Sequence, residues 1–116
     1  MIKQVSDGRQ YAEWINKAHD PEMPPARIIA NIESGTFKIL SCDEDGIFIY
    51  WPKGSIAWAI WFYTLPGKGQ GLVEGIYDYL RKEGFQKVRA GSVRKEKGFM
   101  KITGMQKLFT VYEKEL

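Results

Sequence analysis

The sequence has few of the residues on which disulfides and metal sites depend. Among its 116 residues there is one cysteine, Cys42, and one histidine, His19. A single cysteine excludes an intramolecular disulfide, and one cysteine with one histidine does not indicate a metal cluster, so we expect no metal site. The simplest role for Cys42 is that of a small buried apolar residue.

Long apolar runs are also missing. No stretch approaches the roughly 20 uncharged apolar residues that cross a bilayer, and the first ten residues lack the apolar core of a secretory signal. These absences predict a soluble, cytoplasmic protein with no membrane partner. The 116 residues, 44% of them apolar, suffice for one core, so we expect a single domain over residues 1–116.

The positive charge is concentrated in the second half of the chain. Residues 1–64 carry six basic and eight acidic side chains, whereas residues 65–116 carry eleven basic and six acidic ones. This asymmetry suits a polyanionic ligand, either the phosphates of a nucleotide cofactor or a nucleic acid. Taken alone, the charge is explained more simply by an ordinary solvated surface.

Hydrophobic periodicity predicts short strands and helices in the order β α α β β β α β α β, which is an α+β pattern. The three-strand meander contains a hairpin with its turn at residues 45–46. Residues 56–65 predict a central, mostly buried strand whose alternate residues face opposite sides. Apolar residues at four-residue spacing predict a helix over residues 70–83, and residues 107–116 predict one final strand.

The predicted central strand leads into this helix through PGKGQG, residues 66–71. A glycine-rich connection of this kind suits phosphate binding, because glycines allow close approach and the amides of a helix N-terminus point at the anion. The spacing matches neither a GxxxxGK[ST] phosphate loop nor a G-x-G-x-x-G dinucleotide fingerprint. The same residues would also serve as a flexible connection.

This segment resembles the Q/R-x-x-G-x-G/A motif that GNAT acyltransferases carry between their fourth strand and the following helix. The resemblance implies a GNAT-like acyl-CoA N-acyltransferase fold of the α+β class, with a mixed central sheet of about six strands and helices on both faces. It also implies acetyl-CoA as co-substrate. The backbone amides that would hold its pyrophosphate are those of Gly67, Lys68, Gly69, Gln70 and Gly71. The strand edge that would pair with the pantetheine arm is Ile60, Trp61 and Phe62.

A second stretch, FMKITGM at residues 99–105, resembles the end of the fourth helix in the same family. Two positions depart from the family pattern. Pro66 stands where the motif usually has Gln or Arg, and Met100 stands where many active members have a tyrosine that protonates the departing thiolate. The usual acid is therefore missing from its place, although a coenzyme A thiolate can also leave unprotonated and take its proton from water.

Acetyl transfer to an amine needs a group that takes the amine proton and benefits from an acid for the thiolate. Glu22 lies in the segment that flanks the acceptor site in the family, and it is the candidate for the first role. Tyr112 is the candidate acid. The ordinary alternatives are an exposed loop carboxylate for Glu22 and a core aromatic for Tyr112.

The resemblance thus implies an N-acyltransferase that moves an acetyl group from acetyl-CoA to an amine on a small molecule or protein. Its short length and its ending also resemble small GNAT-like proteins of tailed phages, so a catalytically silent interaction or virion protein is one alternative. The other is a small basic nucleic-acid-binding protein, with Phe99 and Tyr112 as stacking groups. No recognised nucleic-acid motif is present, which makes nucleic acid the weaker partner. The acceptor and the choice between monomer and homodimer stay open.

Overall fold

The computed structural model of the protein describes residues 2–18, 23–91, 106–108 and 111–116. Within the described residues, the strands and helices follow the predicted order, except that two strands replace the one predicted final strand. The elements are β1 Ile2–Val5, a 3-10 turn Gly8–Tyr11, α1 Ala12–Ile15, α2 Pro25–Glu33, β2 Lys38–Cys42, β3 Gly46–Lys53, β4 Ile56–Thr64, α3 Gly69–Lys82, β5 Lys87–Ala90, β6 Gln106–Leu108 and β7 Val111–Glu115.

The described strands form one sheet in the order β1-β2-β3-β4-β5-β7-β6. Neighbours are antiparallel except β4 and β5, which run parallel and are joined by α3. The predicted α+β architecture with a mixed sheet is confirmed. The sheet has seven strands because residues 107–116 do not form one final strand. They contribute to both β6 and β7, which pair antiparallel with Leu108 opposite Val111.

Helices cover both faces of the sheet, as predicted, and divide the core in two. Successive residues of β3 point to opposite faces, so Phe48 contributes to one core and Ile49 to the other. The α3-side core comprises Leu40, Cys42, Phe48, Tyr50, Ala57, Val73, Ile76, Tyr77, Leu80, Val88 and Ala90. The α1/α2-side core comprises Ile15, Ile28, Ile32, Phe37, Ile39, Ile47 and Ile49. Full burial of a Leu or Ile side chain stabilises the fold by about 1.5–3 kcal/mol.

The helix ends follow from local sequence. The carboxylate of Asp7 accepts the backbone N–H of Arg9 at 2.8 Å, which caps the 3-10 turn before α1. Pro25 is the first residue of α2, where its missing N–H has no intrahelical partner to lose. Gly84 follows α3 with φ of +95°, a conformation that glycine adopts readily and that ends a helix.

The turn of the β2–β3 hairpin lies two residues earlier than predicted. Asp43 and Glu44 take left-handed φ values of 52° and 66°, and the glycine of the predicted turn is instead the first residue of β3. A Cβ on Gly46 would lie 2.5 Å from the carbonyl oxygen of Tyr63. This glycine is therefore needed for the close approach of β3 to β4, and the left-handed positions of the turn are taken by Asp43, a residue type that tolerates them, and by Glu44.

Strand β4 is central, as predicted, but it carries a bulge. Trp61 and Ala59 pair with two consecutive residues of β3. Ile60, which lies between them on β4, is therefore an extra residue without a partner on β3. The bulge breaks the alternation: Ala59 and Phe62 pack on the α3-side core, and Trp61 packs on the α1/α2-side core. The prediction of a regularly alternating, mostly buried strand is wrong, since only Ala57 of β4 is fully buried.

Candidate functional site

Strands β4 and β5 separate in the middle of the sheet. They pair through four residue pairs, the last of which is Ala59 opposite Ala90. β5 ends at Ala90, whereas β4 continues to Thr64. From Ile60 onward, β4 therefore has no β5 partner in the described part of the chain. An extended ligand segment can hydrogen-bond to a strand edge of this kind in the way an added strand does.

The three residues predicted to line a ligand arm all lie on this open half of β4. Ile60, the bulged residue, comes directly after the last β4–β5 pair. The indole Nε1 of Trp61 donates to the backbone carbonyl of Trp14, 3.1 Å away, and this ties α1 to the open half of the strand. Phe62 meets Phe48 edge to face, with ring centroids 6.1 Å apart. The sequence predicted the strand edge but contained no signal for the bulge.

The open half of β4 leads directly into the glycine-rich loop. The N–H of Leu65 donates to the carbonyl of Asp45 at 2.8 Å, so the β2–β3 turn holds the end of β4 in place. Gly67 has φ of +79°, and its left-handed conformation reverses the chain between the strand and α3. The N–H of Lys68 donates to the carbonyl of Leu65 at 3.1 Å. The Lys68 amide is thus already engaged in the turn, which leaves its exposed side chain as the part available to a ligand.

Helix α3 begins at Gly69, as predicted to within one residue, and its N-terminus faces the end of the open strand. The first amides of an α-helix, here those of residues 69–71, have no carbonyl acceptor within their own helix. Lys68 provides no side-chain cap, and the first turn contains no acidic residue. The partial positive charge of this helix end is therefore not neutralised by the residues that form it.

The glycines of the first turn differ in the space around them. A Cβ on Gly69 would lie 3.3 Å from the hydroxyl oxygen of Thr64, so this glycine allows the helix to approach β4 closely. A Cβ on Gly71 would have no heavy atom within 4 Å. Packing within the protein therefore explains Gly69 but not Gly71. An open backbone at residue 71 leaves room for a group outside the protein.

A cluster of charged side chains that the sequence did not reveal lies across β5 and β7. The Nε of Arg89 donates to the carboxylate of Glu113 at 2.7 Å, and the Nζ of Lys87 lies 3.6 Å from the same oxygen. The hydrogen bond from Arg89 lowers the pKa of Glu113, a carboxylate that is only 12% exposed. The Arg89 guanidinium also lies 5.7 Å from the centroid of the Trp58 ring. A carboxylate held by two cations suits a structural role better than that of a base.

The strand pairing locates the predicted acid, Tyr112, relative to β4 and β5. Tyr112 is opposite Ala90 on β5, and Ala90 is in turn opposite Ala59 on β4. These three residues form one row across the sheet, at the point where β4 and β5 separate. The predicted carboxylate Glu22 and the substituted position Met100 lie outside the described residues, as does the resemblance over residues 99–105.

Comparison with protein families defined by sequence found no match, and neither did a search of curated proteins. Solved structures do match. A GNAT-family N-acetyltransferase of Escherichia coli in complex with CoA matches with a TM-score of 0.72 at 12% identity, over 99% of this chain and 80% of its own. A GNAT-family protein from Desulfovibrio desulfuricans matches with a TM-score of 0.71 at 14% identity, over 99% of this chain and 98% of its own. The chain has the GNAT fold.

The GNAT fold confirms the predicted fold class. An N-acetyltransferase from Thermoplasma acidophilum in complex with coenzyme A shares it, with a TM-score of 0.63 at 14% identity over 100% of this chain and 99% of its own. These three proteins come from cellular organisms, and they lend no support to the resemblance to phage proteins. Within the described residues, no helix is long and apolar enough to cross a membrane.

Proposed function

We propose that this protein is an acyl-CoA-dependent N-acyltransferase that transfers an acetyl group to an amine. The observation that carries the proposal is one continuous path. It starts at the open edge of β4, where β5 ends, and leads through the left-handed Gly67 to the N-terminus of α3. Structures with the same fold have been determined in complex with CoA, which supports the proposal.

The residues along this path fit the chemistry of coenzyme A. A pyrophosphate requires amide donors and positive potential, and the uncapped first turn at Gly69–Gly71 provides both. Lys68, which directly precedes this turn, has an exposed side chain. The pantetheine arm carries amide groups that can bond to a strand edge, and the open half of β4 from Ile60 to Thr64 provides one.

When bound, acetyl-CoA supplies a thioester carbonyl carbon that an amine can attack. The tasks left to this chain are to hold the phosphates, to align the arm along β4, and to move two protons. We assign the amine proton to Glu22, and we assign protonation of the departing thiolate to Tyr112. The position of Tyr112 in the row at the β4–β5 separation supports its assignment.

A catalytically silent protein with the same fold is the second candidate, and one observation favours it. Pro66 has no amide hydrogen, and the amide of Lys68 donates a hydrogen bond to the carbonyl of Leu65. Neither residue of the loop therefore offers a free amide donor to a phosphate. Nucleic-acid binding through the basic half has less support. Arg81, Lys87 and Arg89, three of its described basic residues, form ion pairs with carboxylates of this chain.

Two measurements on the unmodified protein distinguish these functions. Calorimetric titration with acetyl-CoA is expected to show saturable binding, and the absence of binding would refute both the enzyme and the cofactor-binding alternatives. Release of free thiol is then followed with polyamines, peptide N-termini, lysine and aminoglycosides as acceptors. Binding without thiol release above background for any acceptor would favour the silent protein.

The Tyr112→Phe variant tests the assigned acid, because it removes the hydroxyl and keeps the ring. General acids typically contribute about 10²–10⁴ in rate, so a loss in this range with unchanged acetyl-CoA affinity is expected. Full activity in the variant would show that the thiolate leaves without help from this residue.

A further inference from the structure

The face of the sheet opposite α3 carries a row of aromatic and charged side chains across four strands. Trp51 of β3 pairs with Trp58 of β4, Trp58 pairs with Arg89 of β5, and Arg89 pairs with Glu113 of β7. The neighbours of Trp58 along β4 pack on the α3-side core, so Trp58 and the residues paired with it point to the other face. We call these four residues the tryptophan row.

The tryptophan row lies next to the point where β4 and β5 separate. The pair Trp58–Arg89 directly precedes the pair Ala59–Ala90, which is the last between the two strands. The proposed phosphate site lies at the Thr64 end of β4, so an arm that follows the open half of the strand ends at this last pair. Ala59 and Ala90 pack on the α3-side core, which fills that face. An acceptor therefore reaches the acyl carbon from the face of the tryptophan row.

The tryptophans of the row leave aromatic surface exposed on this face. Trp51 is 39% exposed and stands out among the large apolar side chains of the described residues. Trp58 is half-buried, and neither tryptophan packs in either of the two cores that the described residues form. A ligand ring can stack on aromatic surface of this kind.

The charged side chains on the same face leave a net positive charge. Lys87 and Arg89 share the carboxylate of Glu113. Lys87 also lies 3.6 Å from the carboxylate of Glu115. The Nζ of Lys53 lies 4.9 Å from the ring centroid of the first tryptophan of the row, and no carboxylate in the described part of the chain pairs with it. Three cations and two carboxylates leave a net charge of +1, which disfavours a polyamine and favours a ligand with one carboxylate.

We propose that the acceptor is a primary amine that carries both an aromatic ring and a carboxylate, as an aromatic α-amino acid does, and that the tryptophan row binds it. This inference rests on the proposed function, because the coenzyme site delivers the acetyl group. The ring stacks on Trp58 with Trp51 beside it, and the carboxylate lies at Arg89. An arginine has five N–H donors, of which the bond from Nε to Glu113 uses one. Neighbouring strands lie about 4.8 Å apart, so the row from Arg89 to Trp51 spans about 10 Å and suits one amino acid.

In this arrangement the amine lies at the separation of β4 and β5. The neutral amine attacks the thioester carbonyl carbon, a C–N bond forms, and the C–S bond breaks. One amine proton passes to the base assigned above, and the departing thiolate takes a proton from the assigned acid. The products are the N-acetylated amino acid and coenzyme A with a free thiol.

The first experiment compares acceptors that differ by one group. Thiol release from acetyl-CoA is measured with phenylalanine, with alanine, which lacks the ring, with phenethylamine, which lacks the carboxylate, and with spermidine, which is a polycation. The kcat/KM for phenylalanine is expected to exceed that for each of the other three by about tenfold or more. Turnover of alanine, phenethylamine or spermidine as fast as that of phenylalanine would overturn the inference.

Variants then connect this preference to the tryptophan row. Trp51→Ala is expected to lower the ratio of kcat/KM between phenylalanine and alanine by about 3–10-fold, because it removes a ring beside the ligand. Arg89→Gln is expected to lower the ratio between phenylalanine and phenethylamine. Arg81→Gln, which removes an ion-paired arginine of α3, is the control and should leave both ratios unchanged. General damage to the fold lowers turnover of all acceptors together, so unchanged ratios in Trp51→Ala and Arg89→Gln would refute the assignment.

Binding is measured separately from turnover, by adding phenylalanine to isotope-labelled protein in the presence of coenzyme A. The indole N–H signals of Trp51 and Trp58 are expected to shift, while those of Trp14 and Trp61, which are bonded to each other away from the row, stay in place. If other amines are acetylated but phenylalanine shifts neither signal of the row, the inference is overturned and the proposed function stands. If phenylalanine shifts both signals but no acceptor releases thiol, the acceptor role falls with the proposed function, and only binding to the row stands.

Discussion

Replacement of Gly71 by glutamate should raise the stability of the protein and abolish its binding of coenzyme A. Gly71 is the third residue of α3, it is exposed, and an added Cβ would meet no heavy atom within 4 Å. The side chain therefore fits without any shift of the backbone. Its carboxylate would lie at the uncapped helix N-terminus, which is the position we assign to the pyrophosphate.

The expected gain in stability has two sources. Glycine within a helix is less stable than alanine by about 0.8–1.0 kcal/mol. Because the helix propensity of glutamate is close to that of alanine, Gly71→Glu should gain most of this free energy. An acidic side chain in the first turn adds about 0.3–1 kcal/mol through the helix dipole. The free energy of unfolding should thus rise by about 1–1.5 kcal/mol, which corresponds to about 4–6 °C in Tm for a domain of this size.

Differential scanning calorimetry measures the Tm, and isothermal titration with coenzyme A measures the affinity. Gly71→Gln is the matched control, because it adds nearly the same volume and helix propensity without the charge. The control should bind more weakly than the parent but more tightly than Gly71→Glu. If Gly71→Glu binds coenzyme A as well as the parent, the phosphates lie elsewhere. If it lowers the Tm, α3 does not begin as described.

Three further variants, one of them with a control variant, test the fold around the site. Gly46→Ala should lower the free energy of unfolding, measured in urea, by about 1–3 kcal/mol, because its Cβ meets a β4 carbonyl. The control variant Gly91→Ala, whose Cβ is in open space, should change this free energy by less than about 0.5 kcal/mol. Trp61→Phe should cost about 0.5–1.5 kcal/mol through the lost hydrogen bond to α1; an unchanged urea midpoint would contradict that bond. Arg89 lowers the pKa of Glu113 in the folded protein. This carboxylate therefore stabilises the fold at pH values above about 4.3, the pKa of an unfolded glutamate, and the contribution is lost as the pH falls through the lower pKa of the folded state. Glu113→Gln should therefore flatten the decline of Tm on acidification, and parallel pH profiles would refute the assignment.

The sequence predicted those elements whose signals are local. Apolar spacing located α3, and an uninterrupted apolar run located β4. The strand, glycine loop and helix are contiguous along the chain, so their succession could be predicted from the sequence. The binding of a phosphate at this loop stays a prediction. The predicted start of α3, residue 70, differs by one residue from its start at Gly69, because the glycine-rich connection marks the helix boundary.

The features that the sequence did not reveal depend on distant pairing. The bulge at Ile60 is a mismatch between β3 and β4, and neither strand alone shows it. The separation of β4 from β5 depends on where β5 ends, at Ala90. The ion pair of Arg89 with Glu113 joins two residues that lie 24 positions apart in the sequence. The hairpin turn was misplaced for a different reason, since the Asp-Gly signal reflects close strand packing at Gly46 rather than turn geometry.

The most direct test of the central claim is a titration of the isotope-labelled protein with coenzyme A, followed by amide nitrogen–proton correlation spectra. The account predicts that the largest shift changes fall on the amides of residues 67–71 and 60–62, while those of α2 and β1 stay nearly unchanged. Shift changes confined to other elements, or no changes at saturating coenzyme A, would contradict a coenzyme site formed by the open half of β4 and the N-terminus of α3.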